Sequence, residues 1–310
     1  MGSGNRSKQS PTRKRRGTPV RLLDDFTASA AALLDRVRRR APLIHNITNL
    51  VAMESSANIL LALGASPVMA HAGSEVEEMA SRADALVLNI GTLDERWVES
   101  MVLAAAAADA KGIPVVLDPV GAGATAMRTR AARRILRDAR VSVVRCNASE
   151  LLAVVSGHAK TRGVDSADRV TARVRRAADA LARERGCVVA VSGERDLVTD
   201  GRRAFCIGNG HPAMTRVTGI GCGLSAATAA FCAVADGDFT IAAAAAFGVY
   251  GICGQTAAKT SAGPGSFPAA FIDALHAVGE AEIRRHLAVE PARRQELRGG
   301  ETAGTGMPVS

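Results

Sequence analysis

The sequence predicts an α/β protein: a mainly parallel sheet covered by helices on both faces. Three observations lead there. Short continuous apolar runs rich in Val, Ile and Leu recur along the chain, helix-forming segments separate them, and the last third is dominated by long Ala-rich stretches. An uninterrupted apolar run suits a strand covered on both sides, whereas a strand with one wet face alternates polar and apolar residues. Strand and helix signals in alternation define parallel βαβ units with right-handed crossovers.

Taken in order, the strand runs are 66–70 (SPVMA), 85–91 (ALVLNIG), 113–118 (IPVVLD), 141–145 (VSVVR) and 187–193 (CVVAVSG). Segments 74–82, 94–111, 129–137 and 165–184 carry the helix formers between them. After Gly193 the rhythm changes, and 196–200 with 203–207 read as a short antiparallel pair turning at Asp200-Gly201. Long helices follow over 222–235, 241–259 and 267–288. The apolar stretch 241–254 is too short to span a bilayer and reads as a buried helix. No linker composition interrupts this series. The expected division is therefore one domain over 21–288, a basic disordered arm at 1–20 and a flexible tail at 289–310.

A chain of 310 residues with 47% hydrophobic and 22% charged residues can bury a large core and does not read as disordered. One Trp, one Tyr and seven Phe make that core aliphatic and leave little for base-stacking platforms, which disfavours general single-stranded nucleic-acid binding. The net charge of +9 is a local feature: seven of the 39 Lys and Arg residues fall in residues 1–21 without any acid, and the rest of the chain is close to neutral. The arm reads as a solvated terminus, so no nucleic-acid partner and no membrane partner is expected. Six cysteines without a C-x-x-C pair, and no signal peptide, fit a reducing cytoplasm.

In open α/β sheets ligands collect at the carboxyl ends of strands, so those ends hold the candidate site. The run ending at Asp118 opens into Pro119-Val120-Gly121-Ala122-Gly123-Ala124-Thr125, a loop whose backbone amides can approach whatever the carboxylate holds. Asp118 has three readings: a magnesium ligand, a partner of a substrate hydroxyl, or a cap on its own loop. The run ending at Arg145 continues as Cys146-Asn147-Ala148-Ser149-Glu150. A guanidinium there suits phosphate oxygens, which it grips with two parallel hydrogen bonds. Glu150 either orders water around Mg2+ or completes a helix cap with Asn147, and the spacing alone favours the cap.

The strongest local signal is Val217-Thr218-Gly219-Ile220-Gly221-Cys222-Gly223, directly ahead of a helix. Glycines there expose unpaired amides, and the helix dipole adds positive potential, so the Gly221 and Cys222 amides form a candidate anion hole. In that field the Cys222 thiol is expected to lose its proton more easily than usual and to accept a proton from an attacking alcohol. The alternative is a small buried hydrophobe, the reading given to Cys187, Cys232 and Cys253. No G-x-x-x-x-G-K-[ST], H-E-x-x-H or G-x-S-x-G occurs, and no glycine loop completes G-x-G-x-x-G after a strand. The six histidines are scattered, none reads as a metal ligand, and His45 reads as a hydrogen-bonded residue of a polar loop.

Together PLIHNITNLV, ALGASPVMAHA, ALVLNIGTL, IPVVLDPVGAGAT, the Asn-x-x-Glu at 147–150, NGHPAMTRVTGIGC and GPGSF closely resemble the hydroxyethylthiazole kinase family, from about Pro42 to Ala288. The resemblance implies a ribokinase-like three-layer fold and ATP-dependent phosphorylation of 4-methyl-5-(2-hydroxyethyl)thiazole in thiamine salvage, with Mg2+. It implies that Cys222 stands where most such kinases carry a catalytic Asp, and that Arg145 and Ser192 bind ATP. Met69, Gly219 and Asn49 are implied to bind the thiazole, and Asp118 and Glu150 to form the acidic pair near metal and phosphates. It also implies a homotrimer with active sites near subunit interfaces. One departure is Cys146, where a Gly is expected beside Arg145. Rival readings are a kinase of another small heterocyclic alcohol, a nucleotide-dependent dehydratase on the same fold, a non-catalytic binding protein, and a nucleic-acid-bound regulator using the arm. The presence of Cys222, Asp118 and Arg145 ranks the kinase above the binding protein.

Overall fold

A computed structural model describes residues 19–157 and 170–292. Most of the expected arm and tail lie outside these residues, as do the first residues of the helix expected at 165–184. Helix α1 (Pro19–Arg40) leads into β1 (Leu43–Ile47), α2 (Met53–Leu63) and β2 (Ser66–Val68). The βα alternation continues through α3 (Val76–Arg82), β3 (Ala85–Asn89), α4 (Glu95–Lys111), β4 (Val115–Asp118), α5 (Ala126–Asp138), β5 (Val143–Asn147), α6 (Ala148–Ser156), α7 (Ala172–Arg185) and β6 (Val188–Ser192). The hairpin β7 (Asp196–Thr199) and β8 (Ala204–Ile207) follows, then a short 3-10 turn, α8 (Ile220–Ala233), α9 (Phe239–Thr260), α10 (Phe267–Ala277), α11 (Glu280–His286) and β9 (Val289–Pro291).

The strands form one sheet in the order β2-β1-β3-β4-β5-β6-β7-β8-β9. Pairing is parallel from β2 to β6 and antiparallel from β6 to β9. Because β1 lies between β2 and β3, the strand order reverses there, and the crevice at the carboxyl ends of β1 and β3 is the topological switch point. One helix layer, α1, α2 and α8 to α11, buries Leu34, Ile59, Leu60, Phe231, Phe247 and Phe271 against Ile44, Val87 and Val116. The opposite layer, α3 to α7, packs Met101, Ala104, Ile135 and Leu151 on Leu86, Leu88, Leu117 and Val144. Each strand feeds both cores alternately, which is why its run is apolar throughout.

The structure corrects five local expectations. His45 is not in a loop but inside β1, fully buried, with Nε2 2.7 Å from the Ala70 carbonyl; the polar pair His45-Asn46 hides the strand by breaking its apolar run. The helix expected over 267–288 is two, broken at Val278-Gly279, where the Gly279 amide donates to Glu282 Oε2. The body does not stop at 288, because β9 pairs with β8 as an edge strand too short to register in the sequence. Helix α9 is 22 residues long, enough by length and composition to cross a membrane, yet most of it is buried in the fold. Cys146 adds no bulk beside Arg145: it points into the α3 to α7 core while its neighbours on the strand face the other way.

Candidate active site

The site is assembled where five strand ends meet the N-terminus of α8. Just past β1, Asn49 is buried, and its Oδ1 accepts the Val51 and Ala52 amides, which fixes the turn into α2. Its Nδ2 donates to Asn89 Oδ1 at 2.8 Å and to Cys222 Sγ at 3.2 Å. Asn89 Nδ2 in turn donates to Asp118 Oδ2 at 2.8 Å, and Ser225 Oγ donates to the same oxygen at 2.7 Å. A continuous polar chain therefore joins the Cys222 thiol to the Asp118 carboxylate.

Gly91 allows this chain to close, since a Cβ there would lie 2.7 Å from the Asn49 side chain. Asn89 and Ser225 were not singled out from the sequence. Asn89 was legible as the last residue of an apolar run at a strand's carboxyl end, and Ser225 as the residue one helical turn after Cys222.

Asp118 is fully buried, with Arg145 Nη1 3.7 Å from Oδ2. Burial raises its pKa to about 6, and the nearby Glu150 adds to the rise, while Arg145 and the Ser225 and Asn89 hydrogen bonds oppose it. Oδ1 accepts no hydrogen bond among the described residues. Arg145 Nη2 donates to Ser192 Oγ at 2.9 Å, so the ends of β5 and β6 present a guanidinium and a hydroxyl side by side.

Glu150 completes a helix cap. Its Oε2 accepts the Asn147 amide at 2.9 Å, and Asn147 Oδ1 accepts the Glu150 amide at 2.8 Å. Its Oε1 reaches the Gly121 amide at 2.8 Å and so ties α6 to the glycine-rich loop after Asp118.

Gly219 caps α8 at φ +88°, a left-handed conformation that favours glycine, and a Cβ there would strike Ser55 Oγ. The Gly223 amide makes the first intrahelical bond, to Gly219 O at 2.8 Å, which leaves the Ile220, Gly221 and Cys222 amides ahead of it. Arg145 faces the same turn, with Nη1 3.5 Å from where a Gly221 Cβ would stand. The expected easy ionisation of Cys222 is not found. Burial raises the thiol pKa and the Asp118 charge adds to it, outweighing the Asn89, Asn49 and Arg145 contributions. The helix dipole acts on a half-buried sulfur, and desolvation wins.

Met69 lies half-buried just past β2, and two residues further on the His71 ring stacks on Trp97 at 4.7 Å between centroids. The site thus has one cationic side, at Arg145 and the α8 amides, and one carboxylate at its floor. It can hold phosphate against the first and a hydroxyl against the second.

A switch-point crevice with this pairing defines a small-molecule kinase of the ribokinase-like class. The profile of the hydroxyethylthiazole kinase family matches residues 34–281. A hydroxyethylthiazole kinase of Desulfotalea psychrophila is 49% identical over 263 residues, which covers 85% of this chain and 96% of the relative. The solved hydroxyethylthiazole kinase protein of Pyrococcus horikoshii OT3 superposes with a TM-score of 0.79 at 43% identity, over 86% of this chain and all of that one. A pyridoxal kinase of Staphylococcus aureus, solved with AMP-PCP and pyridoxal, shares the fold at TM-score 0.56 and 17% identity, over 81% of this chain and 98% of that one. The chain belongs to the hydroxyethylthiazole kinase family.

Proposed function

We propose that this site transfers the γ-phosphoryl group of ATP to the hydroxyl of 4-methyl-5-(2-hydroxyethyl)thiazole, yielding the thiazole phosphate used in thiamine salvage. The observation that carries the reading is the juxtaposition of Arg145 with the first turn of α8, where Gly221 is exposed, above the buried Asp118. Phosphoryl transfer runs through a loose transition state, so alignment and charge neutralisation matter more than a strong base.

Arg145 and Ser192 hold the nucleotide phosphates, and the Gly221 and Cys222 amides receive charge developing on the transferred group. Met69, Gly219 and Asn49 line the thiazole side. Cys222 accepts the alcohol proton in its thiolate form, a minor fraction at neutral pH because burial raises the thiol pKa, as the oxygen bonds to phosphorus and becomes acidic. Asn49 aims the sulfur by its hydrogen bond.

The reaction is read as using Mg2+. Among the described residues no group of three or more His, Cys, Asp or Glu side chains is arranged to enclose a metal. A nucleotide-borne Mg2+ needs only one or two carboxylates, because phosphates and waters complete its octahedron. Asp118 fits that demand, because its Oδ1 accepts no hydrogen bond from the described residues. Glu150 adds negative charge nearby, with both oxygens already holding amides. When bound, Mg2+ would neutralise charge on the phosphates.

A homotrimer with active sites near its interfaces is part of the same reading. It is supported by Leu50 and Val51, each 64% exposed and next to Asn49. A cytoplasmic location is part of the same reading, supported by six cysteines of which none forms a disulfide. The test is ATP consumption and product mass with the thiazole alcohol, set against hydroxymethylpyrimidine and pyridoxal, with light scattering for the oligomer. Phosphorylation of the thiazole alcohol at a kcat/KM well above the other two is expected. Preference for either competitor would overturn the substrate assignment.

A further inference from the structure

The only tyrosine of the chain lies under the candidate anion hole. Tyr250, on α9 and buried, donates from its hydroxyl to the Ile220 carbonyl at 2.7 Å. That carbonyl and the Gly221 N–H are the two ends of one planar peptide group. A donor on the oxygen draws electron density across the amide, strengthens the N–H as a donor and fixes the plane in which it points.

We infer that Tyr250 is a positioning residue for phosphoryl transfer, acting through the Ile220–Gly221 peptide to orient and polarise the Gly221 amide. This rests on the reading of the first turn of α8 as the anion hole.

The surroundings fit that role better than plain filling of the core. The ring is held edge-on to Phe271, with centroids 4.8 Å apart. A Cβ at Gly223 would lie 2.8 Å from the Tyr250 hydroxyl and collide with Ile59 Cδ1, so the third glycine of the motif is what admits the phenol beneath the turn. The Gly221 peptide therefore has the phenol behind it and the Arg145 guanidinium in front. Burial also holds the phenol pKa well above its ordinary value, so the hydroxyl remains a donor throughout the neutral range.

The test uses the full chain with Tyr250→Phe, which keeps the ring and removes the donor. The expected result is a kcat about tenfold lower, with KM for ATP and for the thiazole alcohol within about twofold, because a ground-state binding role would move KM instead. In the 15N-labelled protein the Gly221 amide resonance shifts, while amides in the α3 to α7 layer do not. If kcat is retained, or if the Gly221 resonance does not move, the inference is overturned.

Global replacement of tyrosine by 3-fluorotyrosine changes this site alone, since the chain has one Tyr, and makes the phenol a stronger donor. Gly221 is then expected to shift in the opposite sense with kcat kept, and an unmoved resonance overturns the inference even if Tyr250→Phe does not fold. If Gly221 moves as expected on Tyr250→Phe or 3-fluorotyrosine replacement while the wild-type enzyme leaves the thiazole alcohol unphosphorylated, the proposed substrate is refuted and not the positioning.

Discussion

Asn89 and Asp118 stand opposite each other in the register of β3 and β4, and the Asn89 amide donates to the Asp118 carboxylate at 2.8 Å. The same Asn89 takes a hydrogen bond from Asn49, which also holds the Cys222 sulfur. Two neighbouring strand ends thus couple the carboxylate to the thiol through side chains that neither accept nor release protons. Removing the middle link tests this coupling. Asn89→Ala should lower kcat/KM by about 10 to 100-fold, the range for a lost hydrogen bond to a charged group, as measured by steady-state kinetics on a protein with wild-type circular dichroism.

The pKa of Asp118, raised to about 6, sets two pH dependences. Activity should fall as pH drops below about 6, because the protonated carboxyl no longer offers a charge; a kcat/KM profile checks this. Stability runs the other way. The folded state holds this proton more tightly than the unfolded chain, whose carboxyl titrates near 3.8, so the contribution is fully present below that value and is lost as pH rises to about 6. At about 1.4 kcal/mol per pK unit, the loss is at most about 3 kcal/mol. Urea titrations of wild type and Asp118→Asn across this window should show a steeper loss in the wild type, because the buried Asp196, whose pKa is raised to about 7, contributes a slope of the same sign to both.

A thiol whose pKa is raised by burial is a poor base at neutral pH. The rate should therefore increase with pH across the alkaline range in wild type. Cys222→Asp should lose that alkaline limb and match or exceed the wild-type rate at pH 7, since a carboxylate is already ionised there. Cys222→Ala should lose on the order of tenfold at pH 7 and more at higher pH. Equal rates for Cys222→Ala and wild type at every pH would reduce the sulfur to packing.

Arg145 has Asp118 on one side and Ser192 on the other. Arg145→Ala should raise KM for ATP and reduce kcat/KM by at least about 10²-fold. Arg145→Lys should recover little, because an ammonium lacks the two-pronged geometry. Arg145→Ala also strips Asp118 of its cation, which moves the acid limb of the pH profile to higher pH.

Gly219→Ala meets two obstacles at once, a left-handed φ of +88° and the Ser55 hydroxyl. The conformational part alone costs about 1 to 2 kcal/mol. Thermal melts should show a lowered Tm and assays a loss of activity. Adding Ser55→Gly relieves the clash and should recover part of the Tm but not the φ term.

The fold was legible wherever burial on both faces wrote an unbroken apolar run, as in β3 to β6, and illegible where buried polar residues interrupt the run, as at His45-Asn46 in β1. The tail strand β9 escaped because three residues at an edge carry no periodicity. At the candidate site, the residue types at strand ends pointed to Asp118 and Arg145, and the glycines ahead of a helix pointed to Cys222. Asn89 and Ser225 did not stand out, because an amide and a hydroxyl acquire meaning only from what the register sets beside them. The direction of the Cys222 shift was misjudged for a related reason: a helix N-terminus shows in the glycines ahead of it, while the depth of burial that opposes its dipole does not show in local sequence.

The stacking of Trp97 on His71 gives the molecule a native optical gauge. Trp97 is the sole indole of the chain, so its emission carries no background from other tryptophans, and its ring touches the loop that also carries Met69. Under the proposed function, docking of the alcohol against that loop would change the polarity and ring contacts around a single fluorophore. Substrate arrival can thus be followed in real time by stopped-flow intensity without a label, separately from the later release of ADP.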